Sequence, residues 1–158
     1  MTQNNSELLG RWRGSRETAR QYNQRMIDFG ELYLAKAHAS LAGAQSELEQ
    51  RRFDNAANRA YYACFQAAVA ALTWAGFRPP GGVGTWDHGF VQARFVGELV
   101  NRRKRYASDL RDTLSVAMRQ RHKADYQYDS VTADQAIRVV RRATRFVDDI
   151  RSKRGEQG

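Results

Sequence analysis

From Ala60 to Phe77 the chain reads AYYACFQAAVAALTWAGF, a run without a charged residue. Alanine is the strongest helix former and proline is absent from the run, so it is predicted as the body of a long helix. That helix is expected to start at Asp54, acting as its N-cap, and to end near Gly76. At helical spacing Phe53, Ala56, Ala60, Cys64, Ala67 and Ala71 make a stripe of mostly small side chains, which lets a neighbouring backbone come close. Tyr61, Phe65, Val69 and Leu72 cover a second flank, leaving Asn55, Arg59, Gln66 and Thr73 as a narrow polar strip. A helix apolar on most sides belongs at the centre of its bundle. The run is long enough to raise the question of a membrane span. Its internal Tyr61, Tyr62, Gln66 and Thr73, and a mean hydropathy of −0.72 over the whole chain, predict burial in protein instead.

Amphipathic segments flank this centre. Leu34, Ala37, Leu41, Ala44 and Leu48 recur at three and four residues and predict a preceding helix. Upstream, Ser6 to Asp28 places Trp12, Ala19, Tyr22 and Met26 among arginines and reads as a separate helix or arm. Downstream, a loop holding Pro79, Pro80 and several glycines ends near Trp86-Asp87-His88-Gly89, before a short helix over Phe90 to Val100. The basic run Arg102-Arg103-Lys104-Arg105 follows. A fourth helix carries Leu110, Leu114, Ala117 and Met118 on one face. The last is introduced by a capping box, Thr132 with Gln135. It turns Ala136, Val140, Ala143, Val147 and Ile150 inward and Arg138, Arg141, Arg142 and Arg145 outward. The predicted fold is therefore all-α: an up-and-down bundle of four to five helices over residues 29–154, with an N-terminal helical arm over 1–28 and a disordered tail over 155–158.

A length of 158 residues suits one domain with a single core. The one cysteine, Cys64, excludes an internal disulfide and any paired-cysteine metal site. The N-terminus lacks the basic-then-apolar profile of a signal peptide, so the expected location is cytoplasmic. A net charge of +9, mostly from arginine, is compatible with an acidic partner such as nucleic acid, or with a merely solvated surface. No cofactor or metal is expected. The Gly81-Gly82-Val83-Gly84 stretch lacks the lysine of a phosphate loop, and no H-E-x-x-H occurs. Asp148 and Asp149 are expected to pair with nearby arginines rather than to form a catalytic couple.

The apolar face of the fourth helix, extended past Met118, meets Arg121, Asp125 and, if the helix persists, Tyr128. Charged groups on a buried stripe must be paired or must face a cleft. Arg121 and Asp125 stand at i and i+4 and can bridge, and Arg59 at the edge of the central helix is a second candidate partner for Asp125. The bland reading of the same cluster is a structural polar network at the end of the bundle.

Three strings together resemble the prokaryotic HEPN domains: Asn58-Arg59-Ala60-Tyr61-Tyr62-Ala63-Cys64-Phe65, then Asp87-His88-Gly89, then Arg121-His122-Lys123-Ala124-Asp125-Tyr126. They are similar to the subgroup reading R-A-Y-Y-A followed by R-x-x-A-D-Y. The resemblance covers about Phe29 to Ile150. It implies a dimer whose motif-bearing helices meet at a shared cleft. Many HEPN proteins are metal-independent ribonucleases with an arginine followed a few residues later by histidine. Several are toxins silenced by a neighbouring nucleotidyltransferase. Here Arg121 takes the arginine position and, four residues intervening, Tyr126 stands where the motif has histidine. Tyr128 falls at the motif's tyrosine.

That departure bears on chemistry. A phenol with a pKa of about 10 is poorly poised to shuttle the proton of an attacking 2′-hydroxyl. His122 projects roughly a third of a turn away on its helix and cannot simply substitute for the motif histidine. His88 reads as a loop or helix-start residue that nothing in the sequence brings near Arg121, and His38 as a surface or packing residue. The balance favours a dimeric, non-catalytic module binding RNA, a nucleotide or a protein partner through Arg59, Arg121, Asp125, Tyr126 and Tyr128. RNA backbone would lie on Arg138, Arg141, Arg142 and Arg145. The alternative is a ribonuclease toxin of a toxin–antitoxin or phage-defence pair, using Arg121 and Tyr126.

Overall fold

A computed structural model of the chain describes residues 17–82 and 85–154. Among the described residues five α-helices pack as an all-α bundle and no strand occurs. Helix α1 spans Ala19–Glu49, α2 Phe53–Trp74, α3 His88–Arg94, α4 Thr113–Tyr126 and α5 Ala133–Ser152. None of these is long and apolar enough to cross a membrane.

Helix α1 corrects the expectation of a separate arm. It opens on a capping box, with Thr18 accepting from the Gln21 amide at 3.1 Å and Gln21 accepting from the Thr18 amide at 2.9 Å. From there it runs unbroken through Asp28 and Gly30 for 31 residues. The earlier part of the expected arm, including Trp12, and the expected tail lie outside the described residues. Gly30 punctuates nothing, because a Cβ there would fall inside the indole of Trp74. Leu34, Ala37, Leu41 and Ala44 are buried as their spacing requires.

Helix α2 sits at the centre, packed on α1, α3, α4 and α5. Its small stripe does what small residues allow: Ala56, Ala60, Cys64 and Ala67 are wholly buried. Two details differ from the sequence reading. Asp54 does not cap α2, whose N-cap is Arg52. Its carboxylate instead accepts the Val131 amide at 2.7 Å, tying α2 to the start of α5. Thr73, assigned to the polar strip, is only 2% exposed and lines a cleft with residues of α1 and of the loop after α2.

The remaining elements clamp the centre. Asp87 caps α3 through the Phe90 amide at 2.9 Å. The helix then widens into a π-helical segment over Phe95–Arg102 that buries Phe95, Leu99 and Val100. Arg102 and Arg103 fold back on Glu98, so half of the basic run is engaged locally. A single 3-10 turn at Ser108–Leu110 precedes α4. Helix α5 begins with the predicted Thr132–Gln135 capping box, and its apolar face from Ala136 to Ile150 is buried. Asp148 and Asp149 pair with Arg151 and Arg145, as i,i+3 and i,i+4 geometry favours.

Candidate functional site

Three elements converge where α4 ends: the first half of α2, the start of α3 and the last turns of α4. Arg121 and Asp125 form the expected bridge, Nε to Oδ2 at 3.3 Å. The contact pairs the charges, but the Nε hydrogen is not aimed along it and that atom makes no hydrogen bond. The guanidinium lies over two rings of the Tyr-Tyr pair, 4.9 Å from the centroid of Tyr61 and 5.3 Å from that of Tyr62. A planar cation over π faces loses less on desolvation than an ammonium would, which suits arginine to this place.

Asn58, one turn before Tyr61 and Tyr62, donates to both oxygens of Asp125 at 3.2 and 3.1 Å. On the other side, the Tyr61 hydroxyl lies 2.6 Å from Nδ1 of His88. The imidazole also stacks on Phe65, with centroids 6.2 Å apart. Burial pushes the Tyr61 phenol up to about 12 although Arg121 pulls the other way, so it keeps its hydrogen. Burial likewise lowers the pKa of His88, with Asp87 opposing and Arg121 reinforcing the shift, and the ring is neutral near pH 7. The result is a continuous chain, Asn58–Asp125–Arg121–Tyr61–His88. It presents a cation held in place, a neutral phenol and a neutral imidazole. Chemically it can hold an anion and relay a hydrogen bond.

The predicted site residues divide. Arg121 and Asp125 come together as read. Arg59 does not join them: it is exposed, its stem running past Gly43 of α1, and Asn58 takes its place on Asp125. Tyr126 is 71% exposed and rests its ring on His122, with centroids 5.2 Å apart. Tyr128 is fully exposed and does not continue the buried stripe, because α4 stops at Tyr126 and Gln127 is extended. Arg138, Arg141 and Arg142 line a groove with Val116 and Gln120 of α4. Arg145 is absent from that groove and is bound to Asp109 and Asp149. Asn58 is the residue the sequence reading misses, and His88 is one it names but sets aside as a loop or helix-start residue. Both lie inside the quoted strings, and Asp87 immediately before His88 is a legible helix-start signal.

An all-α bundle with a central tyrosine-bearing helix and an arginine–aspartate pair beside it defines a helical module of HEPN type. The family model described as the HEPN domain matches residues 31–153, and the chain belongs to that family. This makes it, in general terms, a nucleotide- or RNA-related module. No curated protein matches the chain.

Proposed function

We propose that the domain binds a phosphate of RNA or of a nucleotide at Arg121, works as a homodimer, and cleaves RNA weakly or not at all. One observation carries the reading: the Arg121 guanidinium is fixed by Asp125 and two tyrosine rings, yet the side chain stays 23% exposed. A pre-oriented, partly exposed guanidinium suits a phosphate oxygen. The net charge of +9 adds general attraction for a polyanion. Tyr126 and Tyr128, both exposed at the open end of α4, supply aromatic surface for a second copy or for bases.

The test is anisotropy titration of labelled single-stranded RNA and of ATP against wild type and Arg121→Ala. Binding should fall about tenfold or more in the variant, the loss expected for one charge-assisted contact. Equal affinities would leave the cluster a structural network. Sedimentation should give twice the mass of the 18.1 kDa chain at micromolar concentration. A monomer there would refute the dimer.

A second reading, a ribonuclease serving as the toxin of a defence pair with a nucleotidyltransferase partner, is favoured by one feature. His88 approaches the Arg121 cluster from α3 and so supplies an imidazole in space where the motif position holds Tyr126.

A further inference from the structure

We propose that a second cleft, at the opposite end of α2 from Arg121, binds a small planar aromatic anion. The cleft lies between α1 and the loop after α2 and encloses about 350 Å³. Tyr22, Phe29, Phe77 and Trp86 give it aromatic walls, and Thr73 and Arg78 are among its polar lining groups. Thr73 lies twelve residues from Tyr61, so the two sites are roughly 18 Å apart along the helix.

Thr73 is the observation that points to a ligand. It is 2% exposed, lines the cleft, and its hydroxyl has no hydrogen-bond partner. A helical threonine ordinarily returns its hydroxyl to the carbonyl one turn back, as Thr144 does to Val140 at 2.9 Å. At Thr73 that bond is not made. A buried hydroxyl without a partner is costly, and a ligand atom able to donate or accept would relieve the cost.

Arg78 supplies the charge. Its guanidinium stands over the Tyr22 ring at 4.6 Å and its Nε donates to the Tyr22 hydroxyl at 2.7 Å. Among the described residues no carboxylate pairs with it, whereas neighbouring Arg25 is taken by Glu17 at 2.9 Å. Tyr22 thus fixes the guanidinium while leaving its terminal nitrogens for an anion. Aromatic walls select a flat ring, Arg78 a negative substituent, and Thr73 a hydrogen-bonding edge. The volume is at the small end of ligand clefts and fits one ring system rather than a dinucleotide. Two sources share this chemistry, a mononucleotide and an aromatic carboxylate.

Calorimetric titration of the full chain with AMP and with indole-3-acetate separates them. One of the two should bind saturably, and Arg78→Gln should weaken it about tenfold. Thr73→Val should weaken it several-fold without lowering thermal stability, since the hydroxyl has no protein partner to lose. Arg121→Ala should leave this binding unchanged while weakening the phosphate binding proposed above about tenfold or more, so the two proposals fail separately. No saturable heat from either acid would overturn the inference. So would binding indifferent to Arg78→Gln, or equal binding of uncharged benzyl alcohol. Photo-cross-links from a benzophenone side chain placed at Phe29 to residues 1–16, or to a second copy, would assign the cleft to that occupant and overturn it equally.

Discussion

At Gly30 the backbone of α1 passes beneath the Trp74 indole, whose Nε1 donates to the Ile27 carbonyl at 3.4 Å. Glycine inside a helix costs about 1 kcal/mol relative to alanine, so propensity alone recommends Gly30→Ala. Packing decides the other way, because the added methyl would displace a large, rigid ring. Overpacking of this kind costs about 1–3 kcal/mol, and Gly30→Ala should show a net loss in urea unfolding. A neutral or stabilising result would mean that Trp74 can leave α1 at no cost. Two titratable groups of the Arg121 cluster make a pH prediction. The folded pKa of Tyr61 is raised from 10.0 to about 12, so its contribution is complete below pH 10 and is lost as pH climbs towards 12. His88 shifts in the opposite sense: its folded pKa lies below the ordinary 6.5, so its contribution is present above 6.5 and is lost as pH falls through the lowered value. Urea midpoints should therefore decline on both sides, and His88→Gln should flatten only the acid side. An unchanged acid limb in that variant would place its cause in other groups.

Among the elements, legibility follows how local the deciding interaction is. The central helix, the buried face of α5 and the Thr132–Gln135 capping box are written in spacings of three and four residues, and the sequence alone yields them. The break expected near Asp28 fails because a contact with Trp74, far along the chain, makes glycine compatible with a continuous α1. Asp54 resembles a cap for the same reason: its partner, the Val131 amide, is 77 residues away. The candidate site shows both cases. Arg121 with Asp125 is an i,i+4 pair and is readable, whereas His88 reaches Tyr61 only through the loop between α2 and α3. Tyr128 falls on the stripe only if the helical period is extended beyond the point where α4 stops.

The arginine face of α5 separates in the same way. Arg138, Arg141 and Arg142 share a groove with α4, while Arg145 is neutralised by Asp109 and Asp149. If RNA backbone tracks this face, changing the first three together to glutamine should weaken binding. It should also flatten the dependence on salt, by roughly 0.7 in slope for each phosphate the variant no longer neutralises. Arg145→Gln should leave the salt slope alone and slightly lower stability by removing its ion pairs. Equal slopes for all variants would leave the whole face merely solvated.

For the molecule as a whole, holding a phosphate and moving a proton make different demands on the same cluster. Efficient general acid–base catalysis needs a group with a pKa near the working pH. Tyr61, pushed up to about 12, is a weak acid there and its phenolate is scarce. Arg121 stays charged and can stabilise a phosphate but cannot accept a proton. His88 is neutral, with Nδ1 already engaged by Tyr61, and its lowered pKa makes it a weaker base than a free imidazole. Tyr126, at the motif's histidine position, faces solvent against His122 rather than the cluster. The expected outcome is weak or absent cleavage of single-stranded RNA by protein freed of contaminating nuclease, and cleavage gained only in Tyr126→His would support the non-catalytic reading of the wild type. Wild type, Arg121→Ala, His88→Ala and Tyr126→His prepared in parallel make the comparison decisive. Robust wild-type cleavage that disappears in both Arg121→Ala and His88→Ala would establish the ribonuclease reading instead, with His88 as its base. In that event the acid limb of the rate profile should lie below pH 6.5, following the depressed pKa of the folded imidazole.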